Sequence, residues 1–503
     1  MKNIRIKSKA SAFVFAAVLA TGVFSCKTEL LDPVPKDRIS DVVAFDTPDR
    51  IALQVNNLYT SVKNGNFLGG RVMIYGDVRA NDFLNRTTNG VTAYLVWQQT
   101  VNEASQNDVI NLWTFAYQAI NQINVFIDGM EANAEKFTPP TFAADFATAT
   151  APRYIAEARF LRAVSYHYLL QFYARPFVDG AGSRPGLPLR LQGEVGTANN
   201  DLARASVAEV YAQIIQDLDF AEANLPDTYA DALTRITRAH KNTAIAFKTR
   251  VYLTKGDYAN VITEADKLVP ATGPFTAKVR VAHALQANIA DVFAVPQETT
   301  ESIFSMPFSA QNPPGGQNQL GFYYRATSGA SGTTGGGEFS LNQGAGSIIA
   351  DNVNLLPTDP RRATLTYTAG TERYLGKYPS GTPYLDKAPV IRWSEVLLNL
   401  SEALARTTGV TARSVDLLNA VRTRSTGVAG LRVPADATTL IDNIMVERRI
   451  EFLGEGLRNQ DIMRLQGTFP GKGSVGAVVP TDVGWVWPIP ISERNANLLI
   501  EPN

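Results

Sequence analysis

The densest charge cluster in this 503-residue chain is Glu447, Arg448, Arg449, Glu451, Glu455, Arg458, Asp461 and Arg464. Glu451 and Glu455 are four positions apart, so a continuous helix would bring both carboxylates to one face. Paired carboxylates are what a glycosidase needs, one as acid and one as base or nucleophile. Both here come from one short segment, and Gly454 and Gly456 are expected to end its helix. Four arginines stand within reach, and guanidinium forks bind carboxylates bidentately. The preferred reading is an ion-pair network joining the last helices, with no catalytic residue in it.

A second chemistry is carried by aromatic rings outside helical periodicity. Sugars present apolar C–H faces edged by hydroxyls, so a carbohydrate site pairs flat rings with polar donors and acceptors. Tyr75-Gly76-Asp77-Val78-Arg79-Ala80-Asn81 interleaves a ring with three polar side chains. Trp97 is flanked by Tyr94, Gln98, Gln99 and Asn102, and Phe322-Tyr323-Tyr324-Arg325 sits in a Gly-rich stretch. Tyr75, Arg79, Asn81, Trp97, Tyr323 and Tyr324 are therefore the candidate ligand-binding residues. Trp113 keeps helical spacing with Tyr117 and Ile120 and is assigned to the core.

Other chemistries lack their residues. The sequence has no HExxH, G-x-S-x-G or Walker A motif. His167, His240 and His283 are far apart and at no ligand spacing, so neither a metal nor a cofactor is expected. A single cysteine excludes an intrachain disulfide. With 47 Lys+Arg against 47 Asp+Glu, there is no basic footprint for nucleic acid. At 45% hydrophobic and 19% charged residues, the chain is not a disordered one.

Helices must position these groups. Pro152–Tyr173 places Ile155, Ala158, Leu161, Val164, Tyr168, Leu169 and Phe172 on one face, with Pro152 in the first turn. Ser206–Leu225 repeats the pattern behind a Ser206/Glu209 capping box, and Pro226 stops it. His240–Val269 reads helix, turn, helix around Gly256, and Trp393–Arg424 does the same around Gly409. Helical hairpins of this kind resemble tetratricopeptide repeats. The expected fold is mainly α, with tetratricopeptide-like helix pairs as a scaffold and long irregular loop insertions near 66–115 and 307–349. Residues 42–503 are read as a single domain.

The N-terminus reads as an export signal over residues 1–25: Lys2, Arg5, Lys7 and Lys9, then a short apolar run to Phe24. Ser25-Cys26 resembles a lipoprotein processing site, which makes Cys26 the lipidated residue. Residues 26–41 then form a polar tether.

Longer motifs bring a family into view. VIRWSEVLLNLSEALAR (390–406), VERRIEFLGEGLRNQDIMR (446–464) and VWPIPISERNANLL (486–499) resemble signature segments of the SusD/RagB family of outer-membrane lipoproteins. AEARFLRAVSYHYLL (156–170) and FKTRVYLTKGDY (247–258) fit the same family. The resemblance implies a cell-surface lipoprotein, anchored in the outer membrane, that binds a glycan and delivers it to a SusC-like TonB-dependent transporter without catalysis. A peptide-binding RagB-like protein is the alternative within the family. A lipid-anchored glycoside hydrolase using Glu451 and Glu455 is an alternative from another class, and a helical scaffold without a small ligand is a fourth reading.

Overall fold

Apolar stripes at helical spacing are buried pairwise in the computed structural model, which describes residues 43–196, 198–328, 334–427 and 430–503. Cys26, the export signal and the tether lie outside the described residues. The helices that carry the rest are α1 (Arg71–Val78), α2 (Asn111–Ala132), α3 (Ala151–Tyr173), α4 (Val207–Asn224) and α5 (Lys241–Lys255). They continue with α6 (Tyr258–Asp266), α7 (Trp393–Thr408), α8 (Ala412–Thr426), α9 (Ala437–Glu451) and α10 (Leu457–Arg464). α3 packs on α2 and α4, α4 on α5, α5 on α6, α6 on α7, and α7 on α8 and α9. This succession of packed neighbours is the tetratricopeptide-like scaffold expected from the sequence.

Local chemistry sets the helix ends. The Ser206 amide donates to Glu209 Oε2 at 2.7 Å while the Glu209 amide donates to Ser206 Oγ at 3.2 Å, a reciprocal cap on α4. Such a cap is worth about 1 kcal/mol. Between α5 and α6, Gly256 takes φ 79°, a left-handed turn that a side chain would resist.

Buried arginine forks then fix how the helices sit. Arg162 of α3 donates to both oxygens of Asp217 on α4 at 2.8 and 2.7 Å, and to Asn124 on α2 at 2.8 Å. Arg250 of α5 grips Glu395 of α7 at 2.6 and 2.5 Å. Arg464 of α10 grips Glu402 of α7 at 2.7 Å to each oxygen. Each fork satisfies its charges in the same bonds that set helix register.

Ala52–Asn503 forms one compact unit. Ahead of it, the Arg50 guanidinium donates to the Val43 carbonyl at 3.1 Å. Within the unit, the described strands form two sheets. β1 (Phe83–Asn85), β3 (Phe339–Leu341), β5 (Glu372–Leu375) and β4 (Thr366–Ala369) lie in the order β1-β3-β5-β4, all antiparallel. β2 (Ser302–Met306) pairs with β6 (Ala388–Arg392). The C-terminal segment is anchored by Trp487, whose ring lies 5.3 Å from Tyr75 and 4.8 Å from Phe172.

The segment 66–115 departs from the expected loop. It contains α1, a short helix at Tyr94–Gln98 and the start of α2, and all eight residues of α1 are buried. Its Asn, Gly and Thr clusters are the turns between these pieces. Gly76 shows why α1 sits so deep: a Cβ there would lie 2.1 Å from the Gly456 carbonyl oxygen. Only glycine lets the two backbones approach this closely.

Candidate functional site

The two irregular segments are 250 residues apart in sequence but share a sheet, since Phe83 pairs with Leu341 and Asn85 with Phe339. Asn81, Trp97, Tyr323 and Tyr324 gather around that junction, while Tyr75 and Arg79 lie against the C-terminal segment, and none of the six is more than 8% exposed. Tyr75 donates its hydroxyl to the Asn107 carbonyl at 2.9 Å. Arg79 donates to Asn459 Oδ1 at 2.7 Å and the Trp485 carbonyl at 2.8 Å, with its guanidinium 4.1 Å from the Phe469 ring centroid. Asn81 donates to the Gly346 carbonyl at 2.8 Å. Trp97 donates its indole N–H to the Phe83 carbonyl at 3.0 Å. Tyr323 stacks on Phe339 at 6.2 Å, and Tyr324 lies 4.9 Å from Phe83.

The expectation that Tyr75, Arg79, Asn81, Trp97, Tyr323 and Tyr324 form an open stacking platform is therefore corrected. Their rings and amides are spent on the foundation beneath the sheet. Large rings gain most when withdrawn from water, and every polar tip among them except the Tyr323 hydroxyl also finds an internal partner.

Next to that foundation Tyr94, Tyr367 and Glu372 are half-buried and Arg86 and Thr87 exposed, while Thr92, Glu338, Ser340, Arg325 and Tyr374 are buried beneath them. Tyr94 stacks over Trp97 at 6.2 Å with 19° between planes, and its hydroxyl accepts from Gln98 Nε2 at 2.6 Å. Glu338 accepts from Thr92 Oγ1 at 2.7 Å and from Thr87. Arg86 donates to Ser340 Oγ at 2.7 Å and pairs with Glu372. On the next strand pair, Tyr367 faces Tyr374 across the ladder, with ring centroids 6.0 Å apart, and the Arg325 guanidinium lies 5.3 Å from the Tyr367 ring. Rings at both ends of a hydroxyl, carboxylate and guanidinium strip are the donor set a sugar chain uses.

Tyr367, Glu372 and Arg86 escaped the reading of the sequence. A signal existed: Thr366-Tyr367-Thr368-Ala369-Gly370-Thr371-Glu372-Arg373-Tyr374-Leu375 reads as two short strands about a Gly-Thr turn, and Gly370 takes φ 62°.

Asp77 ties the foundation to α10. Its Oδ2 accepts the Gly456 N–H at 2.8 Å and the Tyr324 hydroxyl at 3.4 Å. Burial pushes its carboxyl up to about 8, against the opposing Gly456 N–H. A carboxyl raised above its unfolded value stabilises fully below about pH 4 and loses that contribution as pH rises through 8. Asp77→Asn keeps an acceptor without the charge. Its thermal midpoint should exceed the parent's at pH 8–9 and match it near pH 4, as scanning calorimetry at both pH values will show. A gap between variant and parent that is the same at both pH values would contradict the assignment.

The carboxylate cluster resolves into ion pairs. Glu447 is held by Arg422 at 2.8 Å and by Arg361. Glu451 meets Arg424 at 2.5 Å and Arg392 at 3.0 Å. Glu455 meets Arg392 at 2.8 Å and Lys377 at 2.6 Å. Arg448 binds Asp461 at 3.0 Å and Asn399 at 2.6 Å. Burial opposes ionisation of Glu451, yet Arg424 and Arg392 hold it well below the usual carboxylate range. Glu455 is likewise held down, by Arg392 and Lys377 against its burial. A general acid needs the opposite, a carboxyl kept protonated near neutral pH.

Two family models match the chain: one described as starch-binding associating with outer membrane over residues 31–253, and the SusD family over residues 374–503. A SusD-like protein, P2, of Formosa agariphila is 23% identical over 478 residues, covering 84% of each chain. The fold is similar to that of a SusD superfamily protein from Bacteroides fragilis, with TM-score 0.77 and 29% identity over 91% of this chain and all of the other. It is also similar to a laminarin-binding SusD-like protein, with TM-score 0.70 and 20% identity over 91% of this chain and 99% of the other.

Proposed function

The chain belongs to the SusD/RagB family, and from that premise we propose that it holds a glycan at the cell surface and passes it unaltered to a SusC-like TonB-dependent transporter. The family description, starch-binding and associating with outer membrane, supports the glycan and the membrane. The observation that carries the ligand reading is the accessible set of Tyr94, the Arg86–Glu372 pair and Tyr367, which joins rings to hydroxyl-binding groups at one sheet. Binding without hydrolysis is supported by the ionised, cation-locked state of Glu451 and Glu455. A glucan is the first ligand to test, since one relative of the same fold binds laminarin.

An open strip buries little of an extended chain, so dissociation constants should fall between micromolar and millimolar, about −8 to −4 kcal/mol. One stacked ring, worth about 0.5–1.5 kcal/mol, is then a large share. Tyr367→Ala should weaken glucan binding by up to about tenfold in calorimetry and leave the helical circular dichroism unchanged. Arg86→Ala should also weaken it, at small structural cost because its pair with Glu372 is partly solvated. Unchanged affinity in both variants would take the site off this sheet.

A further inference from the structure

The helical scaffold carries a concave site of its own. A cleft of about 610 Å3 opens beside α2, within the roughly 300–1,000 Å3 range of small-ligand sites. Tyr117 supplies a half-buried ring there, backed by Trp113 at 4.7 Å and 39°. Both rings are fixed in place. The Tyr117 hydroxyl donates to the Pro188 carbonyl at 2.9 Å, and Trp113 Nε1 donates to Glu493 Oε2 at 3.1 Å. Gln118 and Ser492 add an amide and a hydroxyl to the walls.

The charges select among ligands. The cleft's charged lining is Arg190, Glu194 and Glu493, one cation against two carboxylates. Arg190 is already engaged by Glu194 at 2.5 Å and lies 3.6 Å from Glu493. No guanidinium is left over for an anion, and a sulfate or carboxylate entering here meets a net negative wall.

We propose that this cleft is a second saccharide site, specific for a short neutral oligosaccharide and closed to sulfated or uronate chains. It rests on the glycan reading above but uses none of the sheet residues. Fixed rings lower the ordering cost of binding, and the polar walls match ring hydroxyls.

Calorimetry with laminarihexaose, maltohexaose and an oligogalacturonate tests it. The parent should bind a neutral hexaose at two sites and give no cleft binding of oligogalacturonate. Tyr117→Ala should abolish one of the two sites. Gln118→Ala, at an exposed position that cannot threaten folding, should weaken the same site by about fivefold. Tyr367→Ala should leave it intact. One site only, weakened by Tyr367→Ala and untouched in Gln118→Ala, would overturn this inference and spare the sheet site. Oligogalacturonate binding that Gln118→Ala weakens would overturn the neutral specificity. Binding of no sugar at all would overturn both readings.

Discussion

Arg392→Met is expected to cost about 3–5 kcal/mol, a large share of the roughly 5–15 kcal/mol by which a folded protein is stable. Arg392 donates to Glu455 at 2.8 and 2.9 Å, to Glu301 at 2.5 Å and to Glu451 at 3.0 Å, all in the interior. Methionine fills the volume and leaves three buried carboxylates short of a cation. Arg424 and Lys377 remain, but each is already committed, to Glu301 and Glu451 and to Glu455. Glu451→Gln should cost less, because the amide keeps an acceptor for Arg424 and Arg392 and strands no carboxylate.

The pH dependence has a sign. In the parent, Glu451 and Glu455 are held below their unfolded values, so their contribution is present above about pH 4.5 and lost as pH falls. In Arg392→Met the stranded carboxylates should favour protonation, so the deficit against the parent should shrink on moving from pH 7.5 to pH 5. Urea unfolding at both pH values measures this. A variant within about 1 kcal/mol of the parent at pH 7.5 would show that the network is not what fastens the C-terminal helices.

Cys26→Ala is expected to move nearly all of the protein from the membrane pellet to the soluble fraction. Each buried CH₂ of an acyl chain contributes about 0.8 kcal/mol, so several chains on one thiol decide the partition alone. Cys26 is the sole cysteine of the sequence and follows the apolar run that ends at Phe24. Fractionation in a strain lacking the transporter separates lipid from protein attachment. A Cys26→Ala protein that still pellets with the outer membrane there would remove the lipid anchor from the account.

The scaffold was readable because periodicity and caps agree. The stretch 152–173 becomes a helix over Ala151–Tyr173, and Ser206, Gly256 and Gly409 stop or start helices where their chemistry demands. The charge cluster was readable as structural, but its partners were not. Lys377 and Arg392 reach Glu451 and Glu455, and Arg392 also holds Glu301, each from more than 50 residues away, a distance no local pattern spans. The six candidate ligand residues were misplaced for a related reason. A segment without helical or strand periodicity does not reveal which side faces inward, and Trp97, Tyr323 and Tyr324 all turned in. Trp113 is buried as its spacing foretold, yet it also backs the ring of an open cleft.

The proposed function is binding without chemistry. Its most direct measurement is titration calorimetry of the parent protein with a panel of neutral glucans and oligopeptides, followed by chromatography of the recovered ligand. The account predicts heat of binding with at least one glucan, a dissociation constant between about 1 μM and 1 mM, and ligand recovered at its starting length. Shortened chains with new reducing ends, or binding confined to the oligopeptides, would contradict it.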